Sequence, residues 1–261
     1  MTRRRRAAAV MVHRRGPFRA AFLGVLPGEE APGPEDALRY LTRYMGLAET
    51  ASPAWLKQRH GTEAVRVEDP GFGGDGDALI VSRTGVAATV FVADCVPVLI
   101  AAGENVAAVH AGWRGLASVV LASAIRELRR AGVTDPARAE AWVGPAIGPC
   151  CYEVDDDVAG RVESASGPEV VIRRPGRKPH LDLPLAASIQ LAGLGVVHVA
   201  RSGCCVRCDS NWWSYRRDGA GAGRNYAFIW RAREGGRTSV SLGGGPARSA
   251  AAGPARGIDS D

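Results

Sequence analysis

Apolar residues fall in short blocks along this chain, and the spacing within each block predicts its element. Residues 20–26 predict an opening strand. Pro34 suits the first turn of a helix, and Ala37, Leu38, Leu41, Tyr44 and Met45 repeat at the helical period with Gly46 as a stop. Residues 55–58 and 65–67 predict short strands on either side of Arg59-His60-Gly61, and the glycine-rich residues 71–76 predict a flexible loop. The densest β pattern follows at residues 78–81, 86–92, 98–102 and 106–109. These runs are valine-rich and lack polar alternation, the mark of strands buried on both faces. Residues 116–131 predict one long amphipathic helix with Arg126, Glu127, Arg129 and Arg130 outward and Gly132 beyond its end. Strands are predicted at 140–143, 170–173, 196–200 and 226–229, and helices at 155–165 and 184–194. The mixture predicts an α/β (α+β) fold: a single domain with mixed β-sheets packed by helices.

Composition narrows the function classes. The 261 residues are 46% hydrophobic and 23% charged, ordinary globular usage that excludes a disordered or collagen-like chain. No apolar run approaches the ~20 residues that span a bilayer, so no membrane partner is expected. The net charge is +6, but residues 1–15 carry six arginines and no acid. Taking those six from the 33 basic residues leaves 27, equal to the 27 acidic ones, so the body is neutral. The basic character belongs to an arm, residues 1–17, which reads either as a solvated disordered segment or as a binder of acidic surfaces. Nucleic acid is not the expected partner. The apolar residues 7–12 are shorter than the roughly 7–15 residues of a secretory core, and His13-Arg14-Arg15 follows at once, so a cytoplasmic chain is expected. Residues 18–232 show no linker and are taken as the folded domain. Residues 233–261 turn to Gly, Ala, Arg, Pro and Ser and are expected to be disordered.

Chemistry-bearing residues are few. Of five histidines, His60 and His110 stand in glycine-containing turns, and Cys95 lies between them in Ala93-Asp94-Cys95-Val96-Pro97. If the third and fourth strands of the dense β block turn at Gly103-Glu104, paired residue numbers sum to 207 and Cys95 lies opposite Gly112. His110 then shares the face of Cys95, with a diagonal separation of about 7–8 Å between α-carbons. A slip of one residue would separate them. Two imidazoles and a thiolate suit Zn²⁺, and also copper, and three protein ligands leave a position open as catalytic zinc sites do. From spacing alone, a hydrogen-bonded core histidine and a small buried cysteine are the commoner accounts.

Other features carry two readings each. Gly112-Trp113-Arg114-Gly115 reads as a phosphate-binding turn with Arg114 as anion clamp, or as a plain helix start. Residues 214–219 (SYRRDG) read as an anion site or as an internal salt bridge, and Trp212-Trp213 as a purine stack or core. Asp94 can support a neighbouring ligand only if the chain turns before Pro97. The remaining cysteines are Cys150, Cys151, Cys204, Cys205 and Cys208. Cys205-Val206-Arg207-Cys208 suggests a second metal or a redox pair, with Cys150-Cys151 able to supply the other half.

At Gln58-Arg59-His60-Gly61, Asp77-Ala78-Leu79, Ala93–Pro97, residues 109–116, GPAIGPCCYE at 144–153 and SYRRDG at 214–219, the chain resembles the bacterial YfiH-type, laccase-domain proteins. Members of that family are variously described as polyphenol oxidases, purine nucleoside phosphorylases and peptidoglycan editing factors. The resemblance covers about residues 18–232. It implies Zn²⁺ on His60, Cys95 and His110, which are then the catalytic residues as well. It also implies phosphorolysis of adenosine, inosine and methylthioadenosine, with adenosine deamination as a second activity, and so purine nucleosides and phosphate as partners. Arg114, Arg216 and Gln58 are the expected substrate-binding side chains. The rival functions are a metal-free Cys–His hydrolase, a copper-dependent polyphenol oxidase, and a nucleic-acid module acting through the arm.

Overall fold

A computed structural model describes residues 9–26, 33–44 and 51–233. The arginines at 3–6, the helix stop expected at Met45 and Gly46, and the tail beyond residue 233 lie outside them. The first half of the chain forms β1 (Val10–Arg15), β2 (Phe18–Leu23), α1 (Pro34–Tyr44), β3 (Ser52–Lys57), β4 (Ala64–Arg66), β5 (Gly71–Asp75), β6 (Ala78–Val81), β7 (Val86–Val92), β8 (Val96–Ala102) and β9 (Asn105–Ala111). There follow α2 (Trp113–Ala117), α3 (Val120–Arg130), β10 (Glu140–Val143), α4 (Asp156–Ser166), β11 (Val171–Ile172), β12 (His180–Leu181) and α5 (Leu183–Gly193). The chain then adds β13 (His198–Arg201), α6 (Tyr215–Asp218) and β14 (Asn225–Arg231).

Two six-stranded mixed sheets form the body, in the orders β1-β2-β14-β7-β3-β5 and β13-β10-β8-β9-β6-β4. They pack face to face, and alternation along each strand assigns every second side chain to a different layer. In the second sheet Leu79, Val81, Leu99, Ala101, Val106 and Ala108 meet Ala20, Phe22, Leu56, Val90 and Ile229 of the first. The intervening Ile80, Val98, Ile100, Ala107 and Val109 pack under Leu121, Ile125, Leu128, Val162 and Leu191 of the helices. The outer face of the first sheet, with Leu23 and Phe228, is covered by Leu38 and Leu41 of α1. This layering explains why β6, β8 and β9 are apolar at nearly every position: they are buried on both sides. The β8–β9 hairpin has the register inferred from the sequence, with Pro97 opposite His110 and Val98 opposite Val109.

Three elements differ from the sequence reading. The segment Val10–Arg15, assigned there to the arm, is an edge strand paired antiparallel with β2. Val10 and Val12 pack toward α1 while Met11 packs between the sheets, so a short alternation was overlooked. Its arginines suit an edge, where charge discourages further pairing, and Arg15 bonds Glu140 at 2.5 Å. Residues 71–76 are not a flexible loop: Gly71–Asp75 pairs in parallel with β3. Gly73 makes this possible, because a Cβ there would sit 2.6 Å from Val67 and 3.2 Å from Leu56. The single helix expected over 116–131 is two helices, broken where Val119 adopts φ 55°. The break lets α2 pack on α4 while α3 lies along the second sheet.

Candidate metal centre and adjoining cleft

The strand pattern places two side chains of the centre on one face. Continuing the alternation of β8 and β9, Cys95 and His110 both point into the space between the sheets, at its open end. His60 arrives from the loop after β3, a strand of the other sheet. The ligand atoms of His60, Cys95 and His110 all lie within 4.8 Å of one another. The two imidazole rings stand edge to face with centroids 4.7 Å apart.

Asp77 organises the group, and the sequence reading gave it no role. Its carboxylate is 1% exposed. The amides of Arg59 (3.2 Å), His60 (2.9 Å) and Gly61 (2.7 Å) all donate to it. These three successive N–H groups form an anion nest. The nest holds His60 at φ 59°, a left-handed conformation that disfavours a side chain by roughly 1–3 kcal/mol. The same carboxylate lies 2.8 Å from His110 Nδ1. With Nδ1 committed to Asp77, His110 turns Nε2 to the centre, the carboxylate–histidine arrangement common at metal sites. A lone carboxylate at the start of the wholly apolar β6 was the signal available in the sequence, because a buried charge requires partners.

Electrostatics follow from these contacts. Burial alone would push the Cys95 thiol up, but hydrogen bonds and positive charge from His110 and His60 pull it down to about 6. Burial opposes protonation of His110, yet Asp77 and Cys95 raise it to about 9. The thiolate is the favoured form near neutrality, whereas His110 holds a proton there that a metal ion would have to displace. Room for an ion is kept by Gly112: a Cβ there would lie 3.0 Å from Cys95 Sγ and 3.2 Å from His60 Cδ2. A soft sulfur, two imidazoles, an anchored tautomer and a side-chain-free wall fit a tetrahedral divalent cation with one position left for another group.

A cleft of about 330 Å³ adjoins the centre, lined by Trp113, Tyr152, Glu153, Asp155, Lys178 and Arg216 among others. None of the three ligands lines it, but three of its walls come from residues next to the centre. Trp113 follows Gly112. The Tyr152 phenol, pushed up to about 12 chiefly by burial, is also raised by the charges of Cys95 and Asp94. Arg216 is held by Asp94: the chain turns at Asp94 with φ 86°, and its carboxylate accepts from Ser214 Oγ and from the Arg216 amide, both at 2.6 Å. Asp94 thus supports the cleft wall rather than a ligand histidine. The Arg216 guanidinium lies 5.2 Å over the Tyr152 ring and donates to the Glu153 carbonyl at 3.1 Å.

The other candidates divide. Arg114 is exposed and stacks 4.4 Å over Trp113 at the rim. Gln58 does not face the cleft residues: its amide donates to the Phe91 carbonyl at 2.8 Å and accepts from the Phe91 N–H at 2.9 Å, clamping β7 to the His60 loop. Arg217 forms the internal bridge to Asp218 at 2.7 Å and donates to the carbonyls of Val206 and Trp212. Trp212 is core, 2% exposed.

The fold and this centre define a class. Residues 12–232 match the family model described as multi-copper polyphenol oxidoreductase laccase, and the chain belongs to that family. It is similar to a Deinococcus radiodurans protein named purine nucleoside phosphorylase, 36% identical over 225 residues, covering 85% of this chain and 87% of the relative. An Escherichia coli relative named purine nucleoside phosphorylase YfiH is 36% identical over 186 residues, covering 69% of this chain and 74% of the relative. Among solved structures, YlmD from Geobacillus stearothermophilus superposes with TM-score 0.72 at 28% identity, covering 84% of this chain and 93% of that one. Among the described residues no helix is long and apolar enough to cross a membrane.

Proposed function

We propose that this protein is a zinc-dependent purine nucleoside phosphorylase acting on adenosine, inosine and methylthioadenosine, with adenosine deamination at the same centre. The observation that carries the reading is the convergence of His60, Cys95 and His110 beside a cleft walled by two aromatic rings and an arginine. The family description and the names of the relatives support it.

When bound, the ion supplies Lewis acidity and acidifies a water molecule. The chain's own groups do the rest. Trp113 and Tyr152 are the aromatic rings a flat purine would stack on, in place of the Arg114 and Arg216 guanidinium groups that lie over them. Arg216, pinned by Asp94, presents its guanidinium to phosphate, and Arg114 adds positive charge at the rim. Phosphate so held attacks C1′ of the ribose as the bond to the base breaks, giving ribose-1-phosphate and free base. The Tyr152 hydroxyl, kept protonated by its raised pKa, is a hydrogen-bond donor to the sugar or base. Asp77 fixes the His110 tautomer throughout.

Zinc content and adenosine turnover, with and without phosphate, test the reading in wild type and Cys95→Ala. Phosphate-dependent release of adenine with ribose-1-phosphate, and phosphate-independent formation of inosine, are expected from wild type only. Retention by Cys95→Ala of both the full wild-type zinc content and the wild-type rate would overturn the assignment. A metal-free thiol hydrolase has one observation in its favour, the depressed Cys95 pKa, and is distinguished by full activity in metal-free protein. Copper oxidase chemistry is the less favoured reading, because reduction of oxygen by four electrons normally uses several coppers. His13 stacks on Trp142, His180 bonds the Pro149 carbonyl and His198 is exposed on β13, so one histidine-bearing ligand group exists among the described residues.

A further inference from the structure

A second group of side chains has metal-site geometry and lies outside the centre described above. Cys150, Cys151, Cys205 and Cys208 come from two segments about 55 residues apart, yet their sulfur atoms all lie within 4.8 Å of one another. Cys208 Sγ is 3.4 Å from Cys151 Sγ and 3.7 Å from Cys150 Sγ. A tetrahedral ion with zinc–sulfur bonds of about 2.3 Å requires sulfur–sulfur edges of about 3.8 Å. We propose that these four thiolates hold a structural Zn²⁺, a closed Cys₄ site independent of the His60–Cys95–His110 centre.

Local backbone geometry supplies the ligands. Residues 149–151 form a turn closed by bonds from the amides of Cys151 (3.0 Å) and Tyr152 (3.1 Å) to the Gly148 carbonyl. In a turn, unlike a strand, neighbouring side chains need not point to opposite faces, so adjacent cysteines can reach one ion. Cys205-Val206-Arg207-Cys208 forms the second turn, with the amides of Cys208 and Asp209 both donating to the Cys205 carbonyl at 3.1 Å. The groups around the sulfurs suit thiolates. The Gly148 amide donates to Cys205 Sγ at 3.2 Å and the Arg207 guanidinium to Cys151 Sγ at 3.4 Å. Four thiolates on a dication leave two negative charges, and Arg207 offsets part of them. Gly148 keeps the approach close: a Cβ there would stand 3.1 Å from Cys205 Cβ and 3.4 Å from Cys150 Sγ. The ion would tie the loop before Tyr152 and Glu153 to the loop before Trp212–Arg217, joining two walls of the cleft from behind.

The test uses the full chain, purified without chelator, with metal measured per chain. Wild type is expected to hold about two zinc ions, Cys208→Ser about one, and Cys204→Ser, outside the group, about two. Because Cys208 is exposed, its variant is expected to fold. Cys95→Ala isolates the new site: it should keep one zinc. When loaded with cobalt it should show the intense visible bands and sulfur-to-metal charge transfer of a tetrahedral tetrathiolate. Chelation should lower its Tm. Cys95→Ala protein without metal, without those cobalt bands, or with Cys208 in a disulfide to Cys150 or Cys151 would overturn the proposal. Failure of phosphorolysis in wild type would leave these readouts untouched, so the two proposals are judged separately.

Discussion

Asp77→Asn perturbs the centre without removing a ligand. The wild-type carboxylate accepts three backbone amides and faces His110 Nδ1 from a site that is 1% exposed. Asparagine keeps the shape, but its amide nitrogen must face one of these donors, and its remaining oxygen is neutral. Hydrogen bonds to a charged partner contribute about 1.5–3 kcal/mol and neutral ones about 0.5–1.5, while an unsatisfied buried donor costs about 1–3. Three bonds weakened by roughly 1 kcal/mol each and one donor orphaned give a loss of about 4 kcal/mol, a large part of a typical 5–15 kcal/mol. For a chain of this size that corresponds to a fall in Tm of about 8–16 °C. Loss of the anchor on His110 should also weaken zinc binding about 10–100-fold. Thermal unfolding of metal-free protein and competition against a chromophoric chelator at 25 °C read the two effects. At that temperature the variant is still folded, so destabilisation alone would leave the affinity near wild type. A variant with Tm within about 2 °C of wild type and metal affinity within about twofold would refute the role assigned to Asp77.

Gly112→Ala should lower metal affinity with little change in metal-free Tm, since its φ of −73° suits alanine and only the Cβ contacts with Cys95 and His60 are new; unchanged affinity would refute the steric argument. In metal-free protein, alkylation of Cys95 should rise with a midpoint near pH 6 rather than the usual 9.0, because the thiolate persists down to its folded pKa. Zinc should protect the residue, and a midpoint near 9 would contradict the pairing with His110 and His60. Arg216→Ala should raise the KM for phosphate roughly tenfold or more with metal content unchanged, as expected for loss of one charge-assisted contact. Arg217→Ala should instead lower Tm, because its guanidinium satisfies the Val206 and Trp212 carbonyls. Equal kinetic effects from the two variants would overturn this division.

The legible parts of the fold were those with strong local periodicity. The all-apolar β6, β8 and β9 announced a doubly covered sheet, and the turn at Gly103-Glu104 set the register that brings Cys95 to His110. The β1 strand was hidden because three apolar residues precede three basic ones, and its partner strand, not its own pattern, makes it a strand. Val119 shows the reverse: the sequence has an unbroken helical stripe, and tertiary packing of α2 on α4 places the break. At the site, ligand chemistry nominated the three donors, and the family resemblance singled them out. Asp77 was missed because its partners are mostly backbone amides, which have no signature in the sequence. Gln58 stands in a motif beside a ligand, but only coordinates reveal that both ends of its amide are engaged by Phe91.

The position of β14 sets an order on biosynthesis. It lies between β2 and β7, bonded antiparallel to both, although its residues are among the last described. His60, Cys95 and His110 all precede β14 by more than 100 residues, together with the β8–β9 and β6–β9 pairings that position the latter two. The first sheet stays split until residue 231 has left the ribosome, and α6 with Arg216 arrives barely ahead of it. The three donors thus come together before the cleft is finished, and a truncation near residue 220 would strand β1 and β2 apart from β7 with their edges exposed to other chains.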